Sequence, residues 1–373
     1  MPKVQATKDY IVLSVGPHFL VKSLKTGAIS TPATSNHTGE ITTITPVTIV
    51  KGTPRIASVD SDKKLVVWEF RETGNIVVVG STFVRKKAVS VFFETMFGTD
   101  ALIVALSHGE VGAFPLDGLN QRYKTLVSHS CSMITCACMS VDRRYLITTD
   151  RDEQVRVTNF PNNHSIQSFC MGHTAFVTHV IPSSAGHIIS CGGDGTVRCF
   201  KPENGEELGK CDFSDVQELK VSMEDSTGAV TRGVVVRSVH FIGSDSLLAT
   251  FDGTRNIGHI KLNPKTGTLD FVRFMDLKSH YRALLDTSTT GDTVYIFGET
   301  PSQAIVLSEY RASSIDDAKY TLVEANTFSS YSKTLKAWWK ELNDLKLAKD
   351  EDANYHGFKK TTHKRKLEVR SLP

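Results

Sequence analysis

The sequence of 373 residues predicts an all-β fold, a closed β-propeller of seven four-stranded blades followed by a C-terminal helix and a basic tail. Three observations lead to this prediction. A strand–turn–strand pattern recurs about every 44 residues, strand-like segments continue to residue 327, and helical spacing of apolar residues begins only at residue 328. Because closing seven blades into a ring removes exposed sheet edges, we expect one propeller domain over residues 1–327 rather than two domains.

Three segments carry the repeat most clearly. Each consists of a strand, a tight polar turn and an alternating second strand, at residues 55–68, 145–158 and 187–200. An acidic residue recurs in their turns, as Asp62, Asp152 and Asp194. Between the first and second copies, the pair His108-Gly109 takes the corresponding position. The steps between these positions are 46, 44 and 42 residues, which is the length of one propeller blade.

Two further positions recur in the three copies. A hydroxyl lies four residues before the acid, and a histidine lies 21 to 25 residues before it. This is the spacing of a WD-repeat blade, in which histidine, hydroxyl, turn aspartate and tryptophan form a buried hydrogen-bonded network. Leaving one buried partner unpaired costs about 1–3 kcal/mol, which constrains the residue types. The predicted structural residues are His37, Ser58, Asp62 and Trp68, then His129, Thr148 and Asp152, and finally His173, Ser190 and Asp194. Thr158 and Phe200 replace the tryptophan in the second and third copies.

Weaker copies complete the ring. One follows 58 residues after Asp194, with an acidic, turn-poor insertion over residues 212–228 that accounts for the longer step, and another follows 47 residues later. Two strand-like segments precede the first clear copy. The weaker units are residues 247–254, 294–307 and 10–21, and together with the unit around His108 they bring the count to seven.

Residues 328–349 differ from the repeats. Their apolar residues lie at helical spacing, with Lys and Glu on the other face, and are Leu335, Trp338, Trp339, Leu342 and Leu345. We expect a helix that docks on the propeller or on a partner, or one that merely covers the ring. Residues 350–373 are predicted to be a disordered basic tail. Its Lys364–Lys366 cluster suits nuclear import or loose phosphate contact, and a solvated tail is the alternative.

Composition and charge exclude several classes of protein. No run of about 18 apolar residues is present, and the N-terminus lacks the apolar core of a signal peptide, so we expect an intracellular, soluble protein. The last fifteen residues carry six basic side chains and one acidic side chain, and removing their charge of +5 from the total of +3 leaves −2. A body without net positive charge is not expected to bind nucleic acid alone, which favours action through a partner.

Candidate catalytic and metal sites are weak. The seven cysteines lie between residues 131 and 211, and their odd number indicates thiols rather than disulfides. Cys136 and Cys138 lack the further ligands of a zinc site. Gly192–Gly195 is explained as a repeat turn rather than a phosphate loop, and of the carboxylates Asp150 and Asp152 the second is already assigned to a blade network. We therefore predict a scaffold protein with no catalytic residue, metal or cofactor of its own.

One region is more specific than the general repeat. The segments Asp150–Val157 and His164–Val177 resemble the WD-repeat, non-catalytic subunit of the tRNA (guanine-N7)-methyltransferase, with the close match covering residues 140–200. The resemblance implies a heterodimer with a catalytic subunit that uses S-adenosylmethionine and forms N7-methylguanine in the variable loop of tRNA. It further implies that the scaffold stabilises and activates this partner, in the nucleus and also in the cytoplasm. A general WD-repeat adaptor that recognises a peptide in chromatin or protein-degradation complexes is the alternative.

The resemblance also implies which residues meet the partner. Arg156 ends the Asp-Arg-Asp-Glu-x-x-Arg run, and in the family this position contacts an acidic residue of the catalytic subunit. Arg151, Glu153 and Gln154 are included in the predicted partner-binding set, although the family often has Lys where this chain has Gln154. By strand alternation alone, Arg156 is a solvated side chain of the outer face, and only the resemblance favours contact with the partner.

Overall fold

The computed structural model describes residues 3–71, 74–119, 123–130, 132–225, 228–277, 281, 283–299, 305–312, 320–323 and 337. The predicted helix over residues 328–349 and the predicted tail over residues 350–373 lie outside these residues, apart from Ala337. The described chain contains six four-stranded antiparallel sheets and one five-stranded sheet, which follow in sequence order, and a two-stranded hairpin. The predicted seven-bladed propeller is therefore confirmed. It contains no helix that is long and apolar enough to cross a membrane.

The strands of the first four blades follow one another along the chain. Blade 1 contains β1 (Lys3–Ala6), β2 (Tyr10–Val15), β3 (His18–Ser23) and β4 (Ile29–Ser30). Blade 2 contains β5 (Ile41–Ile44), a short side strand β6 (Thr48–Val50), β7 (Thr53–Asp60), β8 (Lys64–Phe70) and β9 (Ile76–Phe83). Blade 3 contains β10 (Ala88–Met96), β11 (Thr99–Leu106), β12 (Glu110–Pro115) and β13 (Lys124–Ser128). Blade 4 contains β14 (Ile134–Met139), β15 (Tyr145–Asp150), β16 (Val155–Asn159) and β17 (Ile166–Cys170).

The remaining blades include one insertion. Blade 5 contains β18 (Val177–Pro182), β19 (Ile188–Gly192), β20 (Thr196–Phe200) and β21 (Glu207–Asp212). A hairpin of β22 (Val221–Asp225) and β23 (Gly228–Arg232) follows. Blade 6 contains β24 (Val236–Ile242), β25 (Ser246–Phe251), β26 (Asn256–Leu262) and β27 (Leu269–Asp276). Blade 7 contains β28 (Ala283–Thr290), β29 (Thr293–Glu299), β30 (Ile305–Ala312) and β31 (Tyr320–Val323). The insertion expected to be turn-poor is therefore an extra hairpin between blades 5 and 6.

The hydrophobic cores lie between neighbouring blades. Second strands such as β11 are buried on both faces, because each blade packs against one blade on either side. One core cluster joins Val59 and Val67 of blade 2 to Leu102 and Phe114 of blade 3. The six described cysteines are free thiols, and five of them are buried, while Cys131 lies outside the described residues. The first strands of the blades line an axial cavity of about 600 Å³.

The two ends of the ring carry different loops. Because the strands of each blade are antiparallel, the turns between second and third strands share one end with the links between blades. We call this the upper end. The turns between first and second strands and between third and fourth strands lie at the lower end. Arg151–Gln154 joins β15 to β16 and therefore lies at the upper end.

The ring closes between blades 7 and 1 without an exchanged strand in the described residues, because β1 pairs with β2 of its own blade. Instead, the Val4 N–H donates to Asp286 Oδ2 at 2.9 Å, and the Ala6 N–H donates to Ser288 Oγ at 2.9 Å. Apolar side chains of both blades, including Leu13 and Phe297, pack beside these bonds. We call this contact the seam.

Candidate partner interface

A buried hydrogen-bonded network supports the upper end of blade 4. His129 Nδ1 lies 3.0 Å from Asp150 Oδ2, and its Nε2 lies 2.8 Å from Thr148 Oγ1. Asp150 Oδ1 also accepts from the backbone N–H groups of Asp152 and Gln154. The carboxylate therefore ties the histidine to the turn that precedes β16.

The same network recurs in two other blades. In blade 2, His37 Nδ1 lies 2.9 Å from Asp60 Oδ2 and its Nε2 lies 2.6 Å from Ser58 Oγ, which also accepts from Trp68 Nε1 at 2.8 Å. In blade 5, His173 Nδ1 lies 2.9 Å from Asp194 Oδ2, and its Nε2 lies 2.8 Å from Ser190 Oγ.

The acids predicted for blades 2 and 4 were wrong. Asp60 and Asp150, the last residues of their second strands, bind the histidines in place of Asp62 and Asp152. Asp62 instead accepts a hydrogen bond from Thr38 Oγ1 at 2.8 Å, and Asp152 is exposed. The reason lies in blade 5. Its strand ends in Gly192, which has no carboxylate, so Asp194 of the turn supplies one from two residues later.

The ionisation of these acids follows from their partners. Burial opposes the charged form of Asp150, but the hydrogen bond with His129 and the turn amides outweigh burial and hold its pKa below the ordinary value. The same balance lowers the pKa of Asp60. In Asp194, burial is again outweighed, by His173 and Thr196, and the pKa falls to about 2. All three networks therefore contain a carboxylate at neutral pH.

The turn after Asp150 places three of the predicted partner-binding side chains. Arg151 and Glu153 are exposed and Gln154 is half-buried. Glu153 has a left-handed backbone with φ of 70°, and Lys63 and Gly195 adopt 68° and 76° at the same position of their blades. The tight turn therefore holds Arg151 and Glu153 out from the upper end.

Arg156 is half-buried rather than fully solvated. It is the strand partner of Thr148, so its side chain leaves β16 on the face that carries the His129 network, while Val155 and Val157 are buried on the other face. Its Nη1 donates to the Ser128 carbonyl of blade 3 at 3.1 Å. Burial lowers the pKa of the guanidinium. Its Nε is buried and has no hydrogen-bond partner among the described residues.

Blade 5 provides an internal comparison. Arg198 pairs with Ser190, as Arg156 pairs with Thr148, so the two arginines occupy the same strand position. Arg198 donates through Nε to Thr196 Oγ1 at 3.0 Å and through Nη1 to Glu207 Oε2 at 2.5 Å. Arg156 has no carboxylate within ion-pair distance in the described structure. The charge of Arg156 is therefore not neutralised by a carboxylate of the described chain.

Two apolar side chains flank Arg156, and the sequence analysis did not identify them. Phe169 is its strand partner on β17, and Ile166 pairs with Thr158 across a β-bulge. They are 41% and 43% exposed, and other outermost strands also expose large apolar side chains, such as Val79 of β9 and Phe271 of β27. The signal available in the sequence is two large apolar residues in the run from Ser165 to Phe169. We call Arg156, Ile166 and Phe169 the Arg156 surface.

Comparison with known families covers this region. The family model described as the tRNA methyltransferase TRM82 WD40 domain matches residues 117–296, so the resemblance found in the sequence is confirmed over this part of the chain. The matched residues include both the Asp150 turn and the Arg156 surface.

Curated relatives carry related names. The human tRNA (guanine-N(7)-)-methyltransferase non-catalytic subunit WDR4 is 31% identical over 46% of this chain and 41% of its own length. The subunit trm82 of Aspergillus oryzae is 34% identical over 38% of this chain and 29% of its own. The subunit wuho of Anopheles gambiae is 30% identical over 57% of this chain and 59% of its own. The chain therefore spans between about a third and three fifths of the length of these relatives.

Solved structures show the fold alone, because their sequences are distant. The U3-55K structure has a TM-score of 0.60 at 16% identity and covers 79% of this chain and 86% of its own. The Myceliophteria thermophila Cps50 (Swd1) β-propeller domain has a TM-score of 0.62 at 12% identity and covers 80% and 93%. The chain is thus a seven-bladed propeller that, over the region holding the Arg156 surface, is similar to the non-catalytic subunits of tRNA (guanine-N7)-methyltransferase.

Proposed function

We propose that this protein is the non-catalytic scaffold subunit of a tRNA (guanine-N7)-methyltransferase. Two findings support this assignment. The first is the family match over residues 117–296, and the second is that Arg156, within that match, is half-buried and has no carboxylate partner among the described residues. The second finding indicates how the subunits bind. A guanidinium that is partly removed from water is stabilised more by pairing with an external carboxylate than a fully solvated one is.

The catalytic subunit docks on the Arg156 surface. A carboxylate of the partner pairs with the guanidinium, and apolar side chains beside it cover Phe169 and Ile166, which are otherwise exposed. Arg151, Glu153 and Gln154 line the upper edge of this contact. Covering the apolar pair excludes water from the ion pair and so strengthens it.

The chemistry belongs to the partner. The catalytic subunit binds S-adenosylmethionine and forms N7-methylguanine in the tRNA variable loop, and the propeller stabilises and activates it through a rigid upper end. The scaffold itself supplies no catalytic group. The Lys364–Lys366 cluster supports nuclear import of the complex, with a second pool in the cytoplasm.

Reconstitution tests the proposal. The chain, its catalytic partner and their mixture are each incubated with tRNA and S-adenosylmethionine, and N7-methylguanine is measured. We expect no product from the chain alone, little from the catalytic subunit alone, and a large increase from the mixture. If the two proteins do not associate and depletion of the chain leaves tRNA N7-methylguanine unchanged, the proposal fails and the general adaptor function replaces it.

A further inference from the structure

A second surface at the upper end is strongly basic. The link between blades 2 and 3 contains Arg85, Lys86 and Lys87, all exposed, with no acidic residue among them. Lys63 of the β7–β8 turn is exposed beside this link, because the Val84 N–H donates to the Lys63 carbonyl at 2.9 Å. We call these four residues the basic cluster.

The basic cluster is not neutralised within the described chain. None of its members lies within ion-pair distance of a carboxylate there, whereas the exposed Lys25, Lys51 and Lys201 each pair with a nearby acid. Two acids lie close by and keep their negative charge, because the hydroxyl groups that donate to them are neutral. Asp62 accepts from Thr38, and Glu110 accepts from Tyr123 Oη and Thr125 Oγ1. Four cations beside two carboxylates leave a local excess of positive charge that the net charge of −2 before the tail does not reveal.

Aromatic rings accompany the cations. The Arg85 guanidinium lies over the Tyr123 ring at 5.4 Å from its centroid, which holds its orientation. Phe83, at the end of β9, is 69% exposed and lies two residues before Arg85. Cations that track a phosphate backbone, combined with an exposed ring on which a base can stack, are the features of an RNA surface. An acidic protein partner would account for the positive charges but not for the exposed ring of Phe83 beside them.

The basic cluster faces the same side as the proposed partner interface. The Ser107 N–H donates to the Lys87 carbonyl at 2.8 Å, and the His129 N–H donates to the Gly109 carbonyl at 2.7 Å. His129 in turn binds Asp150, which holds the turn of Arg151. Hydrogen bonds and the chain of blade 3 therefore connect the basic cluster to the turn that precedes β16, the strand that carries Arg156.

We propose that Lys63, Arg85, Lys86 and Lys87 bind the phosphate backbone of the RNA substrate, with Phe83 stacking on a base, while the catalytic subunit is docked at the Arg156 surface. This inference rests on the proposed function, since it takes the RNA to be the tRNA that the complex modifies. The propeller then positions the substrate as well as the enzyme.

The test measures tRNA affinity of the reconstituted complex as a function of salt. The variant Arg85→Ala/Lys86→Ala/Lys87→Ala is compared with Lys25→Ala/Lys51→Ala/Lys201→Ala, which removes the same charge from turns at the lower end. Each lost phosphate contact reduces the slope of log Kd against log salt by about 1, so we expect a reduction of about 2–3 and at least about tenfold weaker binding near 0.1 M salt. The lower-end variant should keep the wild-type slope.

Phe83→Ala should weaken binding several-fold at every salt concentration, because stacking is not electrostatic.

The outcomes separate the two proposals. An intact complex with an unchanged slope in the upper-end variant overturns the RNA assignment and leaves the proposed function standing. If that variant instead loses the catalytic subunit, the basic cluster is a protein contact and the RNA assignment is also wrong. Failure of the wild-type chains to associate counts against the proposed function itself.

Discussion

Arg156 and Arg198 show how one strand position can serve either structure or recognition. Both lie opposite the hydroxyl of a blade network, but only Arg198 is paired with Glu207 on the neighbouring strand. Nothing acidic in the described chain takes that place beside Arg156. An arginine that is partly buried without its counter-ion is costly for the isolated subunit, and binding an external carboxylate removes this cost.

We expect Arg156→Glu to break the heterodimer while leaving the propeller folded. Charge reversal puts two carboxylates in a partly desolvated contact, where removing one member of a pair already costs about 2–5 kcal/mol of binding free energy. Arg156→Lys should be milder, because the charge survives and only the planar donor set is lost. Affinity for the catalytic subunit and the melting temperature of the lone chain are measured together.

Arg144→Glu is the control for Arg156→Glu. Arg144 is exposed in the β14–β15 turn at the lower end, where it pairs with Asp142. Wild-type affinity in Arg156→Glu would remove Arg156 from the interface. A collapse of its melting temperature would show that the residue is structural.

Asp150→Ala and Asp152→Ala should have unequal effects on stability. Asp150→Ala leaves His129 and two turn amides without their acceptor, at about 1–3 kcal/mol of unfolding free energy. Asp152 is exposed, so its replacement should change stability by no more than about 0.5 kcal/mol. Denaturant unfolding of the two variants decides the matter, and equal losses would contradict the observed network.

The acid dependence of folding should involve Asp194. Its folded pKa of about 2 lies below the ordinary value of 3.8, so it contributes stability that is complete above the ordinary value and is lost as pH falls toward 2. Asp194→Asn should therefore lower stability at pH 7 and flatten its decline between about pH 4 and 2. A decline as steep as that of the wild type would assign the acid dependence to other carboxylates.

At this scale the sequence predicted residue types better than residue positions. The histidines and hydroxyls of three blades could be found from spacing, because the imidazole needs both an acceptor and a hydroxyl. The position of the acid could not be found from spacing, because a carboxylate can reach the same imidazole from two places. Asp150 reaches it from the end of the strand, and Asp194 reaches it from the turn. Only the backbone distinguishes the two positions.

At the scale of the element, the outermost strand of blade 4 carries the apolar part of the Arg156 surface. β17 exposes Ile166 and Phe169 on the face that carries Arg156, and its β-bulge brings both side chains to that face. Strand alternation would place residues 166 and 169 on opposite faces. Strand alternation alone therefore does not predict the apolar side of the proposed interface, and it does not predict the pairing of β22 with β23 in the insertion.

Phe169→Ala should reduce affinity for the catalytic subunit without changing the stability of the lone chain. The ring is exposed in the free chain, so its loss removes little folding free energy, whereas an aromatic side chain covered beside an ion pair contributes about 2 kcal/mol or more to binding. Val272→Ala is the control, since Val272 is 47% exposed on β27, the outermost strand of blade 6. Equal affinities for both variants would confine the interface to charged contacts.

At the scale of the whole molecule, the contact between blades 7 and 1 closes the ring and so fixes the positions of the loops at the upper end. Seven blades and their order follow from a repeat that can be read from the sequence. The way in which the last blade meets the first depends on side chains that accept from backbone N–H groups 282 residues away, which the repeat does not specify. The seam joins blades 7 and 1 through Asp286, Ser288 and an apolar cluster, with no exchanged strand in the described residues.

Asp286→Ala should therefore open the ring at the seam before the rest of the propeller unfolds. The substitution leaves the Val4 N–H without its acceptor, which costs about 1–3 kcal/mol, and so removes one of the side-chain hydrogen bonds of the seam. Local opening exposes the amides on either side of it, so hydrogen exchange should accelerate in β1, β2 and β28 while blades 3 to 5 keep their protection.

Asp292→Ala, at an exposed turn of the same blade, is the matched control. Because the Arg156 surface lies on the far side of the ring, partner affinity should fall much less than stability. Uniformly faster exchange in all seven blades would show that the ring unfolds as one unit and that the seam is not its weakest point.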